Sequence, residues 1–65
     1  LSVMVEDREV EAHQLFMKAL DNPDNSGYAK QAEIALLDLI KANPYDRSEH
    51  YEIRLLTILA LEIAL

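Results

Sequence analysis

The sequence predicts an all-α fold in which three antiparallel helices form a small helical bundle. Apolar residues recur at intervals of three and four through most of the 65 residues, and loop-forming residues interrupt this pattern twice. No run alternates apolar with polar residues, and no Asn-Gly or Asp-Gly hairpin signal occurs. We therefore expect helices over residues 6–21, 28–42 and 46–65, within a single small domain spanning residues 1–65.

The first predicted helix begins with two acidic residues, Glu6 and Asp7, which favour the positive end of a helix dipole. Ala12, Phe16 and Ala19 follow at i, i+4 and i+7, so they share one face. Further residues that broaden this side are Val10, His13, Leu15, Met17 and Leu20. An apolar arc of that width is typical of a helix that contacts two neighbours.

The second predicted helix follows a loop around Pro23, because the residue before a proline disfavours helical geometry. Its apolar face consists of Ala32, Leu36, Leu39 and Ile40, with Ala29, Ala35 and Leu37 beside them. The small residues Ala32 and Ala35 allow close approach, so we expect both where this helix meets a neighbour. The predicted solvated side consists of Lys30, Glu33, Asp38 and Lys41. The helix is expected to end at Asn43-Pro44.

The third predicted helix begins at Asp46, which with Glu49 approximates a capping box. Its apolar residues extend around nearly the whole circumference: Ile53, Leu55, Leu56, Ile58, Leu59, Leu61, Ile63 and Leu65. Two neighbouring helices cannot cover such a circumference. We therefore expect part of this helix to be covered by something outside the chain.

One stripe of the third helix is predicted to be an interaction surface. Tyr51, Leu55 and Ile58 follow at i, i+4 and i+7 and so align on one side. The intrachain core is assigned to the remaining sides, at Ile53, Leu56, Leu59, Ala60 and Ile63. Because an aligned, exposed apolar patch usually marks a binding surface, we predict a homo-oligomer, specifically a dimer through helix three. The alternative is that the inward face is simply broader.

Composition excludes several classes of function. A net charge of −6, from 12 acidic against 6 basic residues, opposes direct binding to nucleic acid and to anionic membranes. The apolar C-terminal stretch contains charged residues and is shorter than the ~20 residues of a membrane span. The absence of cysteine excludes disulfides and fits a reducing compartment, so we expect a cytoplasmic protein.

No constellation of residues indicates catalysis, so we predict a protein that is not an enzyme and has no cofactor or metal. A metal site is the alternative: Glu9 and His13 are four residues apart, and His50 is the second histidine. The Glu-x-x-His spacing of di-metal carboxylate bundles is absent. The single glycine, Gly27, cannot form a phosphate-binding loop. The acidic N-terminal surface also leaves mimicry of nucleic acid as an alternative to a solvated face.

One set of residues has the spacing of a known repeat: Gly27, Ala32, Leu36, Leu39 and Pro44. With them, residues 27–56 resemble a tetratricopeptide repeat (TPR), a helix–turn–helix unit of 34 residues. Three residues depart from the pattern: Arg54 replaces a small residue, Thr57 replaces an aromatic one, and Pro23 lengthens the preceding loop.

The TPR resemblance implies that Tyr51, Leu55 and Ile58 lie on the outward, ligand-facing side of helix three, and this is why that stripe is assigned to the interaction surface. It also implies a non-catalytic protein–protein interaction module. We expect this module to self-associate, with another protein as the alternative partner. A looser likeness in length, acidity and apolar last helix is to small enterobacterial biofilm and two-component connector proteins. It implies an acidic homodimeric regulator that docks on a signalling or transcription protein. Since the chain does not begin with Met, we expect a processed form or an excerpt of a longer chain.

Overall fold

The computed structural model describes residues 2–42 and 48–64, and the side chains of residues 7–42 and 49–64. Within these ranges the chain consists of three helices and contains no strand: α1 (Ser2–Asp21), α2 (Ser26–Ala42) and α3 (Ser48–Ala64). The predicted all-α fold of three packed helices is therefore confirmed.

Two helix boundaries differ from the prediction. The helix α1 begins at Ser2 rather than at Glu6, since residues 2–5 contain neither glycine nor proline to stop it. The helix α2 begins at Ser26, two residues earlier than expected. The predicted stop at Asn43-Pro44, the capping residue Asp46 and the end at Leu65 lie outside the described residues.

The loop between α1 and α2 is held by asparagine side chains. The backbone N–H and the side-chain amide of Asn22 both donate to the carbonyl of Lys18, at 2.9 and 3.0 Å, and so satisfy the end of α1. At the start of α2, Oδ1 of Asn25 accepts a hydrogen bond from the N–H of Gly27 at 3.0 Å. A Cβ atom at Gly27 would lie 3.0 Å from the same oxygen, so glycine leaves room for this cap.

The helix α2 is the centre of the bundle. It packs along both α1 and α3, whereas α1 and α3 touch each other only slightly. The Cα atoms fill a flattened volume of 35 × 18 × 13 Å, so each helix retains a side that no other part of the described chain covers. The core consists of Ala12, Ala19, Ala29, Ala32, Leu36, Leu39, Tyr51 and Ile58. Half of these are alanines, which lets the helices approach closely.

The predicted position of Ala32 and Ala35 at a helix–helix contact is confirmed. Ala32 is fully buried, and Ala35 packs against the core. We expect Ala32→Leu to overpack this contact and to lower the free energy of unfolding by about 1–3 kcal/mol. The matched control is Ala42→Leu, the same change at an exposed position of α2. Equal urea midpoints for the two variants would contradict the assignment.

Among the described residues, none of the helices combines the length and the apolar character that crossing a bilayer requires.

Candidate interaction surface

The structure reverses the predicted orientation of α3. Tyr51 is only 2% exposed and Ile58 0% exposed, and Leu55 packs against the same core. The stripe Tyr51, Leu55 and Ile58 was predicted to face outward as the interaction surface. That prediction is wrong for this fold, because the stripe forms the contact of α3 with the rest of the bundle.

Tyr51 can be buried because its polar atom has a partner. The Tyr51 hydroxyl donates a hydrogen bond to the carboxylate of Glu9 on α1. A buried phenol without such a partner would be costly, so this bond is what permits an aromatic residue with a polar end in the core. The two residues are 42 positions apart in the sequence. No local pattern could therefore have indicated the pairing.

The opposite side of α3 presents an apolar stripe that the described chain leaves uncovered. Ile53 is 56% exposed, Leu56 66% and Ile63 85%, and the exposed Ala60 lies between them. We call these four residues the outer stripe. Their spacing, i, i+3, i+7 and i+10, is that of a coiled-coil seam. These four residues and Leu59 were predicted to form the intrachain core. That prediction is wrong for this fold, because all five are exposed.

Charge on this face is confined to one end. Glu49 and Glu52 are exposed and precede Ile53 in the sequence. Since an α-helix turns by about 100° per residue, both lie on the same side of α3 as the outer stripe. Thr57, the other polar residue near the stripe, donates its hydroxyl to the carbonyl of Ile53 at 3.0 Å and so is satisfied within its own helix. The outer face is therefore acidic at its N-terminal end and apolar beyond it.

The helix α1 carries a second, more polar exposed set. Val10, Met17 and Leu20 are each exposed, and the exposed His13 interrupts them. Val10 and His13 also line a groove of about 630 Å³ between α1 and α3. The other residues that line the groove are Glu9, Gln14, His50, Tyr51 and Arg54.

The groove brings together the residues considered for a metal site. Glu9, His13 and His50 all line it. The described part of the chain nevertheless contains no group of three His, Asp or Glu side chains placed to hold a metal ion. Arg54 lies over the ring of Phe16, 6.0 Å from its centroid, on the same side of the molecule. The groove thus combines apolar surface with a carboxylate, two imidazoles and the guanidinium of Arg54.

Two carboxyl groups, Glu33 of α2 and Glu62 of α3, influence each other's environment. Glu33, predicted to be solvated, has a side chain only 17% exposed, and its carboxylate lies 3.6 Å from the Lys30 ammonium. Oε1 of Glu62 is buried and, within the described chain, has no hydrogen-bond donor. Hydrogen bonding to Glu33, partial burial and the charge of Glu33 raise the pKa of the Glu62 carboxyl from 4.5, while Lys30 opposes the rise. A proton on Glu62 lets the two carboxyl groups bond instead of repelling each other.

This pair predicts that acid stabilises the α2–α3 contact. The folded chain holds the Glu62 proton more tightly than the unfolded chain. The resulting stability is complete below pH 4.5 and is lost as the pH rises through the raised pKa. We expect Glu62→Gln to remove this dependence and to be more stable than the parent at neutral pH. Thermal midpoints of both proteins from about pH 4 to about pH 7 measure it.

The control for this experiment is Glu52→Gln, which removes an exposed carboxylate from the same helix. It should follow the parent across the pH range. If Glu62→Gln follows the parent as well, the carboxyl pair does not contribute to folding.

No family model matches the chain, and neither a curated protein nor a solved structure matches it. The resemblance of residues 27–56 to a tetratricopeptide repeat therefore remains a prediction. The exposed apolar stripe of α3 is the structural feature that bears most directly on function.

Proposed function

We propose that the protein is a non-catalytic interaction module that self-associates through the outer stripe of α3. The observation that carries the proposal is the alignment of Ile53, Leu56 and Ile63, all more than half exposed, on the side of α3 opposite the core. Isolated exposed apolar residues are normal on a protein surface, but a continuous stripe of them favours a binding surface.

A second copy of the chain is the partner that suits this stripe best. It offers the same apolar stripe, and a two-fold axis makes one patch serve both sides of the contact. A 65-residue chain has marginal stability on its own, so covering the stripe also supports folding. One helix of 17 residues, about 25 Å long, gives an interface at the small end of the specific class. We therefore expect a weak dimer that dissociates on dilution.

The TPR resemblance of residues 27–56 supports the class of function, since such units serve as interaction modules. The alternative remains an acidic homodimeric regulator that docks on a signalling or transcription protein. One observation favours it: a dimer through α3 leaves Val10, Met17 and Leu20 of α1 exposed for another partner. The lack of cysteine is consistent with a protein that acts in a reducing compartment. We therefore propose that the protein is cytoplasmic.

The experiment that tests self-association is sedimentation equilibrium of the parent protein over a range of concentrations. We expect the apparent mass to rise from the 7.4 kDa of one chain toward twice that value. A mass that stays at one chain at the highest attainable concentration would contradict the proposal. The outer stripe would then need a different protein, or further chain, to cover it.

A further inference from the structure

We propose that two copies pair through antiparallel α3 helices, with Ile53 of one copy against Ile63 of the other and Leu56 against Ala60. This inference rests on the proposed self-association. It adds the direction of the two helices and the register of their contact.

The spacing of the outer stripe is symmetric along α3. The four residues of the outer stripe are separated by three, four and three positions, and this series reads the same in both directions. A reversed second helix therefore presents its stripe at matching heights along the contact. Ile53 and Ile63 fall opposite each other at both ends, and each Leu56 meets an Ala60.

Side-chain packing across the contact also favours the antiparallel pair. Each pair of stripe residues that face each other across the two helices forms one layer of the contact. In the antiparallel register every layer contains at least one large side chain, and Leu56 fills the space that the small Ala60 leaves on the other helix. In a parallel pair the two Ala60 residues would face each other and leave a layer with few contacts. Because dispersion contacts decay steeply with distance, such a gap forfeits much of the layer's attraction.

The distribution of charge on α3 favours the antiparallel pair as well. In a parallel pair Glu49 and Glu52 of both copies would lie side by side, and like charges at that spacing repel. Within residues 48–64 no lysine or arginine lies on this face to compensate, because Arg54 lies over the ring of Phe16 on another side of the helix. The antiparallel pair separates the two acidic ends and places each Glu52 beside the uncharged Ala64 of the other copy. The partial negative charge at the C-terminal end of α3 repels these carboxylates more weakly, because solvent screens it.

The experiment uses the absence of cysteine from the sequence, because any cysteine introduced is the only thiol in its chain. Ile53→Cys and Ile63→Cys are prepared separately, one of them labelled with ¹⁵N, then mixed and oxidised mildly at a concentration where the parent is dimeric. In the antiparallel pair, residue 53 of one copy lies beside residue 63 of the other. The two residues 53 lie about 15 Å apart along the helix axis, beyond disulfide reach.

We expect the mixture to give the mixed disulfide dimer, and each variant alone to give little covalent dimer. Met17→Cys, an exposed position on α1, mixed with Ile53→Cys measures the background from random collision. A dominant covalent homodimer of Ile53→Cys would show parallel helices and overturn this inference while leaving self-association intact. Mixed disulfide no higher than the Met17→Cys background would also overturn it. A monomeric parent, measured by sedimentation, would instead overturn the proposed function itself.

Discussion

Ile58→Glu will unfold the chain. Ile58 is among the largest fully buried side chains and packs in the core that α3 shares with α2. A carboxylate at this position would lie without a partner in an apolar environment, which costs several kcal/mol whether it stays charged or takes up a proton. A core of this size rarely supplies more than about 3–5 kcal/mol in total. The expected result is loss of the far-ultraviolet helical signal under conditions where the parent is folded.

The control for Ile58→Glu is the same kind of substitution two residues away. Leu56→Glu introduces the same side chain on the opposite, exposed side of α3. It should retain the helical signal. If Leu56→Glu unfolds while Ile58→Glu stays folded, the orientation of α3 described above is reversed, and the stripe Tyr51, Leu55 and Ile58 becomes the outer one.

Leu56→Glu is expected to abolish self-association while leaving the fold in place. In the proposed pair, each copy would bury an unpaired carboxylate against Ala60 of the other. One buried charge without a partner costs about 2–5 kcal/mol, so the dissociation constant should rise at least about 30-fold. Since association stabilises the folded chain by mass action, the parent's thermal midpoint should rise with protein concentration and that of Leu56→Glu should not. A midpoint that depends on concentration to the same extent in both would contradict the prediction.

The helices could be predicted from sequence because each has a local signal. Apolar spacing marks the faces of α1 and α2, and the Asn22–Asn25 loop separates them with residues that favour turns and caps. The start of α1 was predicted too late because Glu6 and Asp7 suit a helix N-terminus, yet nothing in residues 2–5 prevents the helix from beginning earlier.

The orientation of α3 could not be predicted, because this helix has two apolar sides with similar spacing. The buried stripe that begins at Tyr51 and the outer stripe that begins at Ile53 both have the spacing of one helix face. Each is also flanked by charged residues. The orientation depends on non-local contacts, namely the hydrogen bond from Tyr51 to Glu9 and the burial of Ile58 in the core. The partial burial of Glu33 could not be predicted for the same reason. Its position on α2 is typical of a solvated residue, and only the packing of the bundle reduces its exposure.

We propose that the outer stripe of α3, and not the exposed apolar residues of α1, holds two copies together. Sedimentation equilibrium of Leu56→Glu and of Met17→Glu, at a concentration where the parent is dimeric, tests it most directly. Both variants add one carboxylate at an exposed apolar position, the first on α3 and the second on α1. We predict that Met17→Glu keeps the mass of the dimer and that Leu56→Glu has the 7.4 kDa mass of a single chain. A Leu56→Glu protein that remains dimeric would contradict the account.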